Sequence, residues 1–408
     1  MSGSSPGTRI SATQWGMRGA LAALALLAGY TSVKATLAQV AVKGNPALAH
    51  RLSPGNAQVA SQFAWQMSGQ QATPANRIAA DRLAKQALIA DPTAVSAVAT
   101  LGLNAHLRGD ADNARRLFAY SERLSRRNLA TQVWLVENAA RRGDVTGTLH
   151  HFDVALRTSL VAPDVLYPVL AQTMAAPGIR TEMTRTLADH PGWGDSFLRY
   201  VAANSKDPRP IAALFTELRQ SNVPVPDDAG VNLINALITH GFAQEAWAFY
   251  TTGHPHSDPR FSRDPGFTGN ADTASLFDWT PINDGGIASS LQPGAFEYQV
   301  SASLAGPVLQ QWQMLPPGQY RIEGRSRGIE QQPTALPYWS LTCDDGRELG
   351  RVTVPNSAQN DGHFSGQFMV PGDCPVQKLT LVTQSSDAVG GSSGQFDRVQ
   401  IVPQGSRP

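Results

Sequence analysis

A chain of 408 residues exceeds what one ordinary core accommodates, so two folded units are the default expectation. The formal net charge of +1 excludes the electrostatic footprint of a nucleic-acid binder. Charged residues make up only 16%, and the abundance of Ala, Leu, Gly, Pro and Gln is that of a globular chain rather than a disordered one.

Residues 1–18 read as a flexible N-terminus, with Arg9 and Arg18 and no acid. From Gly19 to Val33 the sequence carries no charge. As α-helix this reaches about 22 Å, short of the ~30 Å hydrocarbon core, and matches a signal-peptide core. The segment continues to Val42, interrupted by Lys34 and Gln39. Lys34 can snorkel, so a tilted signal anchor over 19–42 is the favoured reading. Thr36-Leu37-Ala38 is an acceptable cleavage site, which keeps a cleaved signal as the alternative, with a buried soluble helix as the third. The alanine- and arginine-rich style reads as bacterial. The expected location is the inner membrane, single-pass, with the bulk in the periplasm; the alternative is release into the periplasm after cleavage.

Residues 56–252 read as successive amphipathic helices. Ala75 to Pro92 places Ile78, Leu83 and Leu88 at helical spacing and stops at Asp91-Pro92. Arg108-Gly109-Asp110 then separates two helices, and the same tripeptide returns 34 residues later at Arg142-Gly143-Asp144. Aligned on these turns, Ala114 and Phe118 follow Gly109, while Thr148 and Phe152 follow Gly143, with Ala155 beyond. Ala80, Ala84, Ala87 and Pro92 occupy matching positions upstream. Ala246 and Tyr250 do so after Gly241. A recurring interval indicates architecture rather than an adhesion signal. Glycine makes the turn, and aspartate caps the next helix.

On Leu101-Gly102, Ala114 and Phe118, with Phe152, Ala155 and Pro92 in its neighbours, this region resembles the tetratricopeptide repeat family. The resemblance implies an α-solenoid of antiparallel helix pairs with a groove for a protein partner. Prolines 163, 168, 177, 191, 208 and 210 punctuate the stretch 160–240, which keeps helical periodicity without the period. Arg115, Arg116, Arg123, Arg126 and Arg127 form a basic run on the second helix of the best repeat, a candidate partner-binding surface or a solvated face.

Residues 253–266, rich in proline and containing His254, His256 and Asp258, read as a linker or strap rather than a metal site. Beyond them, short alternating strands replace the helical period. Eight are expected, starting at Phe296, Val308, Gln319, Tyr338, Leu349, His363, Gln377 and Gly394, and they argue for an antiparallel β-sandwich over 267–404. Leu315 to Arg327, Phe368 to Val382, Phe396 to Val402 and Phe277 to Ile282 resemble carbohydrate-binding-module sandwiches of the galactose-binding-like, jelly-roll type. That resemblance implies a glycan site built from Trp312, Tyr338, Trp339, Arg325 and Arg327, and makes Asp397 a candidate calcium ligand. Cys343 and Cys374, the two cysteines, are expected to form one structural disulfide.

The sequence has no GxSxG, HExxH, GxxxxGK[ST] or GxGxxG motif, and Asp344-Asp345 are adjacent on the chain, a poor acid/base pair. The chain is expected to be non-catalytic, with no cofactor and no metal. The function expected is a membrane-anchored periplasmic scaffold. Its solenoid would bind a protein and its sandwich a glycan or protein, in surface polysaccharide assembly or export. The alternative is a carbohydrate-binding accessory module of an enzyme complex.

Overall fold

The computed structural model describes residues 12–69 and 71–405. The helical part runs α1 (Ala12–Ala41), α2 (Pro46–Leu52), α3 (Ala57–Gln66), α4 (Pro74–Ala90), α5 (Val95–Leu107), α6 (Ala111–Leu124) and α7 (Leu129–Arg141). It continues through α8 (Val145–Thr158), α9 (Ala162–Thr173), α10 (Pro177–Ala188), α11 (Gly194–Asn204), α12 (Arg209–Gln220), α13 (Asp227–Thr239) and α14 (Ala243–Gly253). The chain divides into two compact units, one up to Leu166 and one from Tyr167 onward. The expected boundary at 252 therefore falls inside the second unit, which holds the last helices as well as the sandwich.

In α1, residues 15–41 form a 27-residue apolar stretch with mean hydropathy 1.5, long enough to cross a membrane. It extends further toward the N-terminus than the expected anchor. Of the segment expected to be flexible, 12–18 is helical, since no proline follows Pro6 to stop propagation, and 1–11, with Arg9, lies outside the described residues. The last turn packs inward: Ala38 and Val42 are buried, and Val42 clusters with Ala49 and Val59 from α2 and α3.

The 34-residue interval is visible in the elements themselves: α5 and α7 start at Val95 and Leu129, α6 and α8 at Ala111 and Val145. Each tripeptide is the turn between paired helices. Gly109 and Gly143 take φ of +84° and +71°, in the left-handed region that favours glycine. The Asp110 and Asp144 amides return to the carbonyls of Ala105 and Ala139 at 3.0 and 3.1 Å, closing the preceding helix. Their carboxylates then cap the next one, accepting from the amides of Asn113 (3.2 Å) and Gly147 (2.8 Å). Gly241 repeats the turn at φ +80° without an aspartate after it. Replacing Asp110 by alanine is expected to destabilise the first unit by about 1 kcal/mol through the lost cap. Urea unfolding would measure this, and an unchanged midpoint would refute the capping role.

Small and aromatic residues hold the pairs together as the spacing implies. A Cβ on Gly102 would lie 3.0 Å from the Phe118 ring, so α5 and α6 meet at van der Waals distance through this glycine. Phe118 in turn stacks on Trp134 of α7 at 4.5 Å, joining one pair to the next. Ala114 and Ala155 are fully buried. In α4 the buried face is alanine: Ala80, Ala84 and Ala87 are inside, whereas Ile78, expected on that face, is 62% exposed. Close helix approach selects the smaller side chains there and turns the larger ones out.

The sandwich contains β1 (Thr280–Pro281), β2 (Ile287–Gln292), β3 (Ala295–Val300), β4 (Gly306–Gln313), β5 (Gly318–Arg327), β6 (Tyr338–Cys343), β7 (Glu348–Thr353), β8 (His363–Val370), β9 (Gln377–Thr383) and β10 (Ser392–Pro403). They form two five-stranded antiparallel sheets, ordered β1-β4-β9-β6-β7 and β2-β3-β10-β5-β8. Alternate residues from both sheets fill one core that includes Trp279, Phe296, Tyr298, Leu309, Ile322, Trp339, Leu341, Phe364, Leu381 and Phe396. Cys343 and Cys374 are joined, with Cα atoms 5.7 Å apart. Beside them Arg347 makes a two-pronged contact with Asp373 at 2.9 and 3.1 Å, which raises the guanidinium pKa and lowers that of the carboxyl.

The segment 253–266 is a pinned strap. His254 stacks on Tyr250 at 4.1 Å, and Asp258 accepts hydrogen bonds from Arg260. Ser262 pairs with Ile401 in both directions, through amide to carbonyl at 3.2 Å and hydroxyl from amide at 2.7 Å. Arg263 is buried. Its guanidinium donates to the carbonyls of Phe277 (2.6 Å) and Trp312 and to Gln313 Oε1 (3.3 Å), with the rings of Trp247 and Phe277 at 5.4 and 5.6 Å. Burial pulls its pKa down to about 10, against the pull of Tyr250 and Asp278, so it stays charged at neutral pH. Burial, together with the Asp278 carboxylate that accepts its proton at 2.7 Å, holds the Tyr250 phenol far above its ordinary range. The strap thereby ties α14 to the end of the first sheet.

Candidate functional site: a polar cleft on the second sheet

The outward faces of β10, β5 and β8 carry polar residues in register. One cross-strand row is Gln400, Glu323 and Ser365; the next is Arg398, Arg325 and His363. Strand alternation dictates this, because Ile322, Ser326 and Phe364 between them point into the sandwich. A register shift in β10 between Phe396 and Arg398 brings Asp397 and Arg398 both to the outer side. These residues line a cleft of about 1140 Å³ that also meets Asn360, Leu336, Thr353 and Pro355 at its margin. The rim turns sharply: Asn360, Asp361 and Gly362 all have positive φ, at 50°, 51° and 76°. The Asp361 carbonyl accepts from Arg325 Nε at 3.4 Å.

The cleft's carboxylates are already engaged. Glu323 accepts from Arg321 Nε at 2.8 Å and from Gln400. Asp397 is 2.9 Å from Arg327 and 3.9 Å from Arg325. This arginine pairing accounts for Asp397, the residue considered as a calcium ligand. Among the described residues, no group of three or more His, Cys, Asp or Glu is arranged to hold a metal ion. Arg398 donates to Gln400 Oε1 at 3.0 Å.

The five expected glycan residues do not converge. Arg325 and Arg327 lie on the outer face of the second sheet. Trp312 and Tyr338 lie on the outer face of the first, where Trp312 is registered with Lys378 and Tyr338 with Thr353 and Val382. Trp339 lies between the sheets, fully buried, 5.8 Å from Trp279 and 5.7 Å from Phe396. It is a core residue, not a stacking platform. The alternation Trp339, Leu341, Cys343 in β6 carried that signal, since two inward neighbours fix the phase. Tyr338 has one ring face covered by Arg351 at 4.6 Å, itself held by Glu348 at 2.6 Å. Trp312 is half-buried in a smaller recess with Glu245 and Asp344. The residues that the sequence reading missed are Arg398, Gln400, Glu323 and His363, which only strand pairing brings together.

The basic run of the first unit also divides. Arg115, Arg116 and Arg123 are exposed on α6, but the helix ends at Leu124, with Ser125 as its cap, so Arg126 and Arg127 lie in the loop before α7. Arg115 pairs with Asp112 at 2.7 Å, and Arg123 lies 5.8 Å from the Tyr120 ring.

No family model and no curated protein matches the sequence. Among solved structures, a carbohydrate-binding module (CBM4) is 17% identical with a TM-score of 0.27, over 35% of this chain and 99% of its own. PilW, a type IV pilus biogenesis factor, is 15% identical with a TM-score of 0.26, over 50% of this chain and 95% of its own. The glycosylation-associated Gap123 complex of Streptococcus agalactiae is 8% identical with a TM-score of 0.22, over 30% of this chain and 40% of its own. At these scores none of the likenesses extends to what the chain binds.

Proposed function

We propose that this protein is a non-catalytic, membrane-anchored periplasmic scaffold, acting in the assembly or export of a surface polysaccharide. Its helical array, read as a tetratricopeptide-type solenoid, holds a protein partner, and its sandwich contacts a glycan. The observation that carries this reading is the polar cleft across β10, β5 and β8, open and lined by amide, hydroxyl and guanidinium groups suited to sugar hydroxyls. Its carboxylates Glu323 and Asp397 are each paired with an arginine, which supports the reading of a binding surface. Retention of the anchor is supported by Ala38, which is buried at the end of α1 and whose contacts cleavage after it would remove. The disulfide suits an oxidising compartment.

The test uses the full-length chain in detergent. Extraction from envelopes only by detergent, with an N-terminus upstream of Trp15, is expected. A mature N-terminus after Ala38 would replace the anchor with a secreted form. Affinity capture is expected to retrieve a protein partner that survives glycosidase treatment. Turnover of any polysaccharide by the pure protein would overturn the non-catalytic reading.

A further inference from the structure

From the second sheet we infer that the glycan bound in the cleft is an acidic one, recognised through its carboxylates by Arg398 and Arg325. The inference rests on the glycan reading above and specifies its chemistry. Arg398 and Arg325 are directly opposite each other across β10 and β5, and His363 continues the row on β8. Like charges facing each other on a sheet repel. The adjacent row of Gln400, Glu323 and Ser365 contains no such like-charge pair.

The nearby acids do not resolve the repulsion. Glu323 is held by Arg321, and Asp397 by Arg327 at 2.9 Å, with Arg325 at 3.9 Å as its more distant partner. Arg398 has no carboxylate within ion-pair distance among the described residues, and its hydrogen bond goes to a neutral amide. Of the four arginines on these strands, 321, 325 and 327 each lie within ion-pair distance of Glu323 or Asp397, whereas Arg398 makes no ion pair among the described residues. Arg398 and Arg325 both line the cleft, together with Glu323 and Asp397. A guanidinium presents parallel N–H groups that match a carboxylate, so a uronate carboxylate placed over this row would offset the repulsion and satisfy both forks.

The polar residues of the two rows suit a sugar. Gln400, Ser365 and Asn360 offer donors and acceptors for hydroxyls, and the apolar Leu336 and Pro355 of the lining lie off the two rows. They also carry no Trp or Tyr, so the stacking that holds neutral glucans is not supplied there.

The experiment titrates the full-length protein in detergent with three probes: hexagalacturonate, the same oligomer with its carboxyls reduced, and polyglutamate. Hexagalacturonate is expected to bind saturably, more weakly at high salt. Arg398→Gln and Arg325→Gln are each expected to lower affinity by about tenfold. These exposed changes preserve hydrogen bonding and relieve the repulsion, so the variants should melt no lower than the parent. Equal binding of the reduced oligomer would overturn the acidic assignment while keeping a glycan site. Equal binding of polyglutamate would make the cleft a protein-docking surface. No binding of any probe would remove the glycan reading itself. Binding of hexagalacturonate unaffected by both substitutions would place its site elsewhere and overturn the inference.

Discussion

Arg263→Ala is expected to destabilise the second unit by about 3–5 kcal/mol, the cost of removing one partner from a buried charged network. The guanidinium satisfies the carbonyls of Phe277 and Trp312 and the side chain of Gln313, and its own backbone amide and carbonyl exchange hydrogen bonds with Gln311 at 3.3 and 3.1 Å. Alanine would leave three acceptors without their donors and a void beside the Trp247 and Phe277 rings. Arg263→Lys would reach one acceptor at most, since a single ammonium cannot reproduce the fork. Arg263→Met separates the causes: it fills the void but pairs nothing, so it is expected to recover only the packing part. Urea unfolding followed by tryptophan fluorescence, which reports Trp279 and Trp339, would measure all three. A loss below about 1 kcal/mol for the alanine variant would mean that the strap does not hold the unit together.

Loss of the Cys343–Cys374 bridge is expected to cost about 3–4 kcal/mol on the chain-entropy model for a separation of 31 residues. The double serine variant and the reduced wild type should unfold at the same, lower urea concentration. A reduced protein as stable as the oxidised one would contradict this. The Arg347–Asp373 contact next to the bridge is exposed and does not substitute for it.

The helical pairs were legible because glycine turns, alanine contacts and an aromatic plug recur together, and each has a steric reason to sit where it does. Three strands, β6, β8 and β9, start at the expected residues Tyr338, His363 and Gln377, and five more start within two residues of the expected position. β2 was not anticipated: Ile287-Ala-Ser-Ser-Leu-Gln is an edge strand whose face is only half-buried, so its alternation is faint. β1 is two residues long and has no period to detect. The candidate site was less legible. Local alternation tells which residues share a face of one strand, but not which strands adjoin. The sequence neighbours Trp312 and Arg325 end on opposite sheets, while Arg325 and Arg398, far apart in the chain, end side by side.

The end of α1 has a mechanical consequence. With α1 in a bilayer, only residues 42–45 separate it from α2, at most about 14 Å of chain. The buried Val42, Ala49 and Val59 clamp even that short joint. The first unit is then mounted on its stalk rather than leashed to it, with a fixed tilt to the membrane normal. Movement along that bilayer then becomes a search in two dimensions at one height, so lengthening the 42–45 joint would change what the unit can reach without altering any contact surface.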